Sequence, residues 1–305
     1  MTRAVPGWPS PWPARSCSHR RTNSAATSRR CAVAPPTWPP GWAEAGPSGG
    51  PGPHAAERWV PGRRCSAAPG RPASRGRDGR SRVPRGSVSC ALWRSRAEDM
   101  SHLLDRLDVI EAAVPQLAGR IDHSGVAVAG HSFGGFTAGL LLGAGVTDPG
   151  SGEEVDLTEP RIRAGVLLAA PGRGDVLNGP MADALPVLRT VDFSTMTTPA
   201  LVVAGDEDDS RHFTDAGPGW HADPYTLSPG PKALLTLFGA GHGLGGISGY
   251  DAAETTDESP ARVAAVARIT SAYLRTALHP GDHAWRRARE ELAADPAPAG
   301  RIDVK

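Results

Sequence analysis

The chain has 305 residues and a formal net charge of +1, and it contains no run of 18 apolar residues, so we expect no membrane-spanning helix. The near-neutral total hides a basic front and an acidic remainder. Residues 1–90 hold 15 Arg, no Lys and three acidic residues, a net charge of +12. This leaves 18 basic and 29 acidic residues, a net charge of −11, for the rest of the chain. No leader with an apolar segment opens the sequence, so we expect a cytoplasmic protein.

The front segment, residues 1–91, cannot supply a hydrophobic core. Before Leu92 the sequence contains no Leu, Ile, Phe or Tyr, and most positions are Pro, Arg, Gly, Ala or Ser. Ordering one residue costs about 1–2 kcal/mol, which only the burial of large apolar side chains offsets. We therefore predict that this segment is disordered. Its composition is also typical of a GC-rich gene read in the wrong frame, so a frameshifted or misassigned start is a further interpretation.

All four cysteines lie in the front segment, at widely and irregularly spaced positions: Cys17, Cys31, Cys65 and Cys90. No two of them form a Cys-x-x-Cys pair, which argues against a zinc site. The segment also lacks the features of a small secreted disulfide-rich domain. We interpret the four cysteines as free thiols.

The first predicted helix begins at a capping box, Ser95 to Glu98, and ends at Gly119. Apolar residues recur along it at helical spacing and predict a buried stripe of Met100, Leu103, Leu104, Leu107, Ile110, Val114 and Leu117.

Strands and helices alternate in the rest of the chain. Apolar strands are predicted near 125–130, 163–170, 199–205 and 232–238, with helices from about Phe133 to Leu142 and from the N-cap Ser259 to about Leu278. Near-continuous apolar strands alternating with helices predict an α/β fold, in which helices cover both faces of a parallel sheet. We predict a folded portion over residues 92–285 and a C-terminal tail over residues 286–305.

A Gly-x-Ser-x-Gly sequence, residues 130–134, lies between the first predicted strand and its helix. In this context it is typical of a nucleophile elbow, in which a strained turn exposes the serine hydroxyl. The glycines on either side let the strand and the helix approach closely. The alternative is a glycine-rich turn with a chance serine. We predict that Ser132 is a nucleophile.

The next strand ends supply a carboxylate and an imidazole. Four acidic residues, 206–209, follow the strand that ends at Gly205, and His242 follows the strand that ends at Phe238. Because the carboxyl ends of parallel strands meet at one edge of the sheet, we expect these groups beside Ser132. His242 would take the proton from the serine, and a carboxylate would orient the imidazole.

These motifs resemble the α/β-hydrolase superfamily over roughly residues 92–285. The sequence Gly-His-Ser-Phe-Gly-Gly is similar to the branch that holds chlorophyllase-like, platelet-activating-factor acetylhydrolase-like and dienelactone-hydrolase-like enzymes. The resemblance implies hydrolysis of a small carboxylic ester through Ser132, His242 and an acid, with the backbone N–H of Phe133 as an oxyanion donor. Superfamily members often place the acid three residues after the glycine that ends its strand, which favours Asp208 and leaves Asp206 as the alternative.

The resemblance also reveals a gap. An α/β-hydrolase normally has several strands before the nucleophile strand, and a loop after the third strand donates the second oxyanion amide. The front segment has no sequence that would form them.

Three further histidines are weaker candidates. His131 is expected to pack or to form a hydrogen bond rather than to react. His212 and His221 lie in a Gly/Pro-rich loop over residues 210–231. This loop either caps the pocket, together with Trp220 and Tyr225, or is an ordinary surface excursion, which we favour.

Three functions compete at this point. The first is an active serine esterase, and the second is a truncated, catalytically impaired homologue. The third is binding of a polyanion such as nucleic acid by the arginine-rich front segment, which the acidic remainder disfavours. The sequence has no metal-ligand cluster and no phosphate-binding loop, so we expect neither a metal nor another cofactor, and no membrane partner.

Overall fold

A mostly parallel five-stranded sheet forms the centre of an α/β fold. The computed structural model describes residues 87–179, 183–249 and 256–305. The predictions made for residues 1–86 therefore lie outside the described residues.

The helices and strands follow each other in the chain as α1 Ser87–Leu104, α2 Leu107–Ala113, β1 Val126–His131, α3 Phe133–Leu141, β2 Val146–Thr147, β3 Glu154–Val155, β4 Ile162–Leu168, β5 Ala200–Gly205, α4 Asp223–Thr226, β6 Lys232–Leu237, α5 Pro260–Leu278, α6 Ala284–Ala294 and β7 Gly300–Val304. Short 3-10 helices cover Pro115–Leu117, Pro186–Thr190 and Pro218–Ala222. Among the helices of the described ranges, none has the length and apolar character that crossing a membrane requires.

The strand order of the main sheet is β1-β4-β5-β6-β7. The first four strands are parallel, as predicted, and β7 pairs antiparallel with β6. The carboxyl ends of the four parallel strands therefore lie along one edge, where β1 leads to Ser132, β5 to Asp208 and β6 to His242.

Helices cover both faces of the sheet. Because alternate side chains of a strand point to opposite faces, neighbouring residues of β5 belong to different core clusters. Leu201 and Val203 of β5 belong to a core cluster that includes residues of α5 and α6. Their neighbour Val202 belongs to another cluster, with Ala97 of α1 and Leu141 of α3. Every residue of β5 is buried, which explains why its sequence is continuously apolar rather than alternating.

The first helix differs from its prediction. It begins at Ser87, so Ser95 is inside it rather than its N-cap, and the chain breaks into a second helix after Leu104. No residue of the predicted buried stripe is fully buried: Met100, Leu103 and Val114 are exposed, and the other four are partly buried. The buried side chains of α1 include Trp93 and Ala97.

The C-terminal residues 286–305 belong to the fold, and the prediction of a tail is corrected here. Ala288 and Leu292 of α6 are buried in the same core cluster as residues of α5. Residues 300–304 form β7, whose Ile302 pairs with Leu235 of β6. The strand was missed because it is short, with charged residues at Arg301 and Asp303 between its apolar positions.

Strand β1 lies at an edge of the sheet. Within the described residues it pairs with β4 alone. No position of β1 is fully buried and Ala129 is exposed, whereas the neighbouring β4 is mostly buried. The strand that leads to Ser132 is therefore the least covered of the four parallel strands.

Candidate active site

Ser132 occupies a strained turn between β1 and α3. Its φ is 54° and its ψ is −122°, a combination that residues with a side chain rarely adopt. The backbone N–H of Ser132 donates to the carbonyl oxygen of Leu168 at 2.9 Å, which ties the turn to β4. The turn therefore has the backbone geometry expected of a nucleophile elbow.

The turn requires glycine at two positions, Gly130 and Gly135. Only Gly130 belongs to the Gly-x-Ser-x-Gly motif. A Cβ atom on Gly130 would lie 2.1 Å from the carbonyl oxygen of Gly134, so this position excludes any side chain. A Cβ on Gly134 would meet nothing within 4 Å. A Cβ on Gly135 would lie 2.7 Å from the Cβ of Ala170. The close approach of helix and sheet thus depends on Gly135 rather than Gly134.

Ser132, His242 and Asp208 form one chain of hydrogen bonds. The Ser132 Oγ lies 2.9 Å from Nε2 of His242, and Nδ1 of the same ring lies 2.9 Å from Oδ2 of Asp208. Because an ionised carboxylate only accepts hydrogen bonds, Nδ1 carries a proton. In the neutral ring Nε2 is then free to accept the proton of the serine hydroxyl.

Asp208 is the acidic residue that reaches His242. It is 2% exposed, whereas Asp206, Glu207 and Asp209 of the same acid-rich run are exposed. Burial would raise the pKa of Asp208, but hydrogen bonds to His221 and His242 outweigh it and hold the pKa well below its usual range. Asp208 is therefore a carboxylate at neutral pH.

Asp206, the alternative acid, points elsewhere. Its Oδ1 accepts a hydrogen bond from the backbone N–H of Gly239 at 2.6 Å. This contact links the loop after β5 to the turn after β6. Asp206 thus supports the turn that precedes His242 without contacting the imidazole.

His221, only a weaker candidate by sequence, lies next to Asp208. It is 1% exposed, and its Nε2 lies 3.1 Å from Oδ2 of Asp208 and 2.8 Å from Oγ of Ser210. Its Nδ1 lies 2.8 Å from the carbonyl oxygen of Ala170. The interpretation of its loop as a surface excursion was therefore wrong for this residue.

Two further side chains hold the loop that carries His242. Nε2 of His131 lies 2.8 Å from the backbone carbonyl oxygen of His242, so His131 forms the expected hydrogen bond. Burial lowers the pKa of His131, which keeps this ring neutral. Asp257 accepts from the backbone N–H groups of Gly241 at 2.9 Å and Gly245 at 2.8 Å through Oδ2. Asp257 precedes the N-cap of α5 in sequence, and no motif marked it.

The other predicted site residue, Phe133, is the first residue of α3. The first N–H groups of a helix have no partner within the helix, and the helix dipole makes that end favourable for negative charge. The N–H of Phe133 can therefore donate a hydrogen bond to an oxygen atom of a molecule bound next to Ser132.

An apolar cavity of about 270 Å³ lies beside Phe133. Trp93 of α1 and Leu185 contribute to its walls. The guanidinium of Arg96 also lines it and lies 5.4 Å from the centre of the Phe133 ring. The cavity combines a mostly apolar wall with one cation.

Asp208, His221 and His242 carry atoms of the types that bind Zn²⁺, and these atoms lie within 4.8 Å of one another. Both imidazoles, however, contact the same carboxylate oxygen at hydrogen-bond distance. Hydrogen bonds account for this geometry without an ion, so we do not assign these residues as metal ligands.

In comparisons with known proteins, no family model matches the chain, and a search of curated proteins found no match to it.

Proposed function

We propose that this protein is a serine hydrolase of the α/β-hydrolase type that cleaves carboxylic esters through a Ser132–His242–Asp208 triad. The observation that carries the proposal is the hydrogen-bond chain from Ser132 Oγ through His242 to a buried carboxylate. The strained backbone of Ser132 and the resemblance of its sequence to superfamily elbows support the same assignment.

The chemistry follows from these contacts. Nε2 of His242 takes the hydroxyl proton while Ser132 Oγ bonds to the ester carbonyl carbon, and the carbonyl oxygen becomes an oxyanion. The N–H of Phe133 donates to that oxyanion. Collapse of the intermediate expels the alcohol, which receives the proton from His242, and leaves an acyl-serine. Water repeats the cycle with His242 as base and releases the acid.

The ester is expected to carry a small apolar group. The cavity beside Phe133 is lined mostly by apolar side chains, which favours an alkyl or aryl group of the substrate. Its volume of about 270 Å³ lies slightly below the usual range for ligand pockets, so short-chain esters suit it better than long-chain ones.

Active-site labelling tests the proposal. A fluorophosphonate probe should form a covalent bond to Ser132 in the wild-type chain, and Ser132→Ala should abolish labelling. Ser271→Ala is the matched control because Ser271 is an exposed serine on α5. Labelling that persists in Ser132→Ala, or a wild-type chain that is folded by circular dichroism but not labelled, would contradict the assignment.

A second candidate function is that of a catalytically impaired hydrolase. The edge position of β1 favours it, because within the described residues one side of the nucleophile strand has no pairing partner. Loss of one oxyanion donor lowers turnover by about 10²–10³. Turnover of a short-chain chromogenic ester distinguishes the two candidates. An impaired enzyme would still be labelled by fluorophosphonate, but it would hydrolyse the ester about 10²–10³ times more slowly than an intact one.

A further inference from the structure

Two neighbouring residues of the elbow hold His242, one through its side chain and one through its backbone. Nε2 of His242 lies 2.9 Å from Oγ of Ser132, and the backbone carbonyl oxygen of His242 lies 2.8 Å from Nε2 of His131. The proposed mechanism uses the contact with Ser132 and gives His131 no task. Any role of His131 at this site rests on the proposed function, in which His242 takes the proton of Ser132.

The direction of the hydrogen bond between His131 and His242 is fixed by the acceptor. A carbonyl oxygen only accepts hydrogen bonds, so Nε2 of His131 carries a proton and donates to His242. Burial lowers the pKa of His131, which leaves its ring neutral at pH 7. The ring is therefore an uncharged donor, and its centre lies 5.0 Å from the centre of the His242 ring.

Strand pairing alone does not hold His242 beside Ser132. The strand order places β4 and β5 between β1, which leads to Ser132, and β6, which leads to His242. The two residues therefore meet across two intervening strands. The hydrogen bond of His131 spans this gap directly, because His131 is the last residue of β1 and its acceptor belongs to the loop after β6.

Asp257 fixes a different property of the same loop. Its Oδ2 accepts from the backbone N–H groups of Gly241 and Gly245, which lie on either side of His242. These bonds connect the loop to the segment before α5. Asp257 thus maintains the shape of the loop, whereas His131 connects the loop to the elbow.

We propose that His131 is a positioning residue that holds the backbone of His242 so that the imidazole meets the hydroxyl of Ser132. Among the described residues, those that line the cavity beside Phe133 do not include His131. Loss of its donor should therefore slow the reaction of the serine without weakening the binding of a molecule in this cavity. A misplacement of a reacting group by about 1 Å can cost about 100-fold in rate.

The saturation kinetics of fluorophosphonate inactivation test this role. His131→Phe keeps a ring but removes the donor, whereas His131→Gln keeps an N–H donor without the ring. We expect the maximal rate of inactivation to fall about 10- to 100-fold in His131→Phe and by less in His131→Gln. The probe concentration that gives half the maximal rate should stay within about twofold. His212→Phe is the matched control, because His212 is an exposed histidine, and it should change neither quantity.

The order of the two variants separates a positioning role from packing. If the ring of His131 only fills space, His131→Phe should react as fast as the wild-type chain and His131→Gln should be slower. That order would overturn the inference. Circular dichroism shows whether each variant is folded. If phenylalanine does not fit, His131→Leu removes the donor with a smaller side chain and should show the same loss.

Carbon-13 NMR of a chain labelled at the histidine carbonyl carbons tests the hydrogen bond without any activity. Loss of a hydrogen bond moves the resonance of a carbonyl carbon to lower chemical shift. The resonance of His242, assigned by its absence in His242→Gln, should move in this direction in His131→Phe. It should stay near its wild-type position in His131→Gln and in His212→Phe. An unchanged resonance in His131→Phe would overturn the inference.

The outcomes separate the two proposals. A folded wild-type chain that does not react with the probe would refute the proposed function, while the carbonyl resonance would still decide whether His131 holds the loop. A reactive wild-type chain whose His131→Phe variant reacts equally fast would refute only the inference about His131.

Discussion

At the scale of single residues, burial rather than sequence position selects the acid of the site. Asp206 and Asp208 lie in the same run and are separated by one residue, so the sequence left both open. The chain turns after Gly205 such that Asp208 points inwards to two imidazoles and Asp206 outwards to a backbone N–H. The Asp208 carboxylate contacts His242 and can therefore orient its ring. The Asp206 carboxylate is bonded to the backbone instead and cannot do so.

Substitution of these two acids should give very different results. Asp208→Asn is expected to lower turnover by about 10⁴, because the amide no longer holds His242 in the required tautomer. Asp206→Asn should keep turnover within a few fold, since an amide oxygen can still accept from Gly239. Steady-state hydrolysis of a short-chain ester by both variants is the measurement. A larger loss in Asp206→Asn would move the role of triad acid to that residue.

The sequence could identify those candidate residues that are marked by the residues directly next to them. Ser132 is flanked by glycines and His242 directly follows a strand end, so local sequence marks both. His221 and Asp257 act through contacts with segments distant in sequence, 51 residues away at Ala170 and 16 residues away at Gly241. No local pattern records such a contact, and a lone histidine in a Gly/Pro-rich loop is usually a surface residue.

At the scale of elements, the parallel strands and the helices α3 and α5 could be predicted closely because each combines a long apolar pattern with clear end signals. The N-cap Ser259 accepts from the N–H of Arg262, as its sequence indicates. Strand β7 could not be predicted, since it is only partly buried and depends on pairing with β6. The apolar spacing of residues 100–117 indicated helical structure, which the chain forms as α1, α2 and a short 3-10 helix. The same spacing predicted burial of these residues, and none of them is fully buried.

An ion pair between a buried carboxylate, Glu159, and an exposed guanidinium, Arg161, connects the end of α1 to the start of β4. Glu159 is 6% exposed and accepts from the guanidinium of Arg161 through both carboxylate oxygens, at 2.7 Å each. Arg161 in turn donates to Asp105 at the end of α1 at 2.7 Å. The hydrogen bond to Arg161 lowers the pKa of Glu159 from 4.5 to about 2.

This ion pair makes stability depend on pH in a defined direction. Because the pKa of Glu159 is lower in the folded state, its contribution is fully present above pH 4.5 and is lost as pH falls towards 2. Glu159→Gln should therefore lower the free energy of unfolding by about 1–3 kcal/mol at pH 7. The difference from wild type should shrink at pH 3. Urea unfolding at both pH values measures it.

The exposed Glu153 provides the control for this prediction. Glu153→Gln should change the free energy of unfolding by less than about 0.5 kcal/mol at either pH. An equal loss in Glu159→Gln at pH 7 and pH 3 would mean that packing, and not charge, is responsible.

At the scale of the whole molecule, the described part of the chain presents one poorly covered side. Strand β1 has a free edge there, and apolar residues on α1 and α2 are exposed, with Leu103 and Val109 both at 49%. An exposed strand edge is a template for pairing with another chain. Among the described residues, the edge of β1 therefore offers a surface for association.

A charge on this edge should suppress association. Ala129→Lys places a cation at the exposed position of β1, where it should reduce concentration-dependent self-association with little change in stability. Ala267→Lys adds the same charge at an exposed position of α5 and should not have this effect. Light scattering across a concentration series compares the two variants. Equal behaviour of Ala129→Lys and wild type would show that the β1 edge is not the contact.

The hydrogen bonds of the site also join the ends of all four parallel strands. They run from Ser132 after β1 through His242 after β6 and Asp208 after β5 to His221, and return to Ala170 after β4. A loop at this edge cannot open without breaking a bond that another loop shares. In native-state hydrogen exchange, the amides around Asp208 and His242 should therefore lose protection together, as a single cooperative unit rather than as independent surface loops.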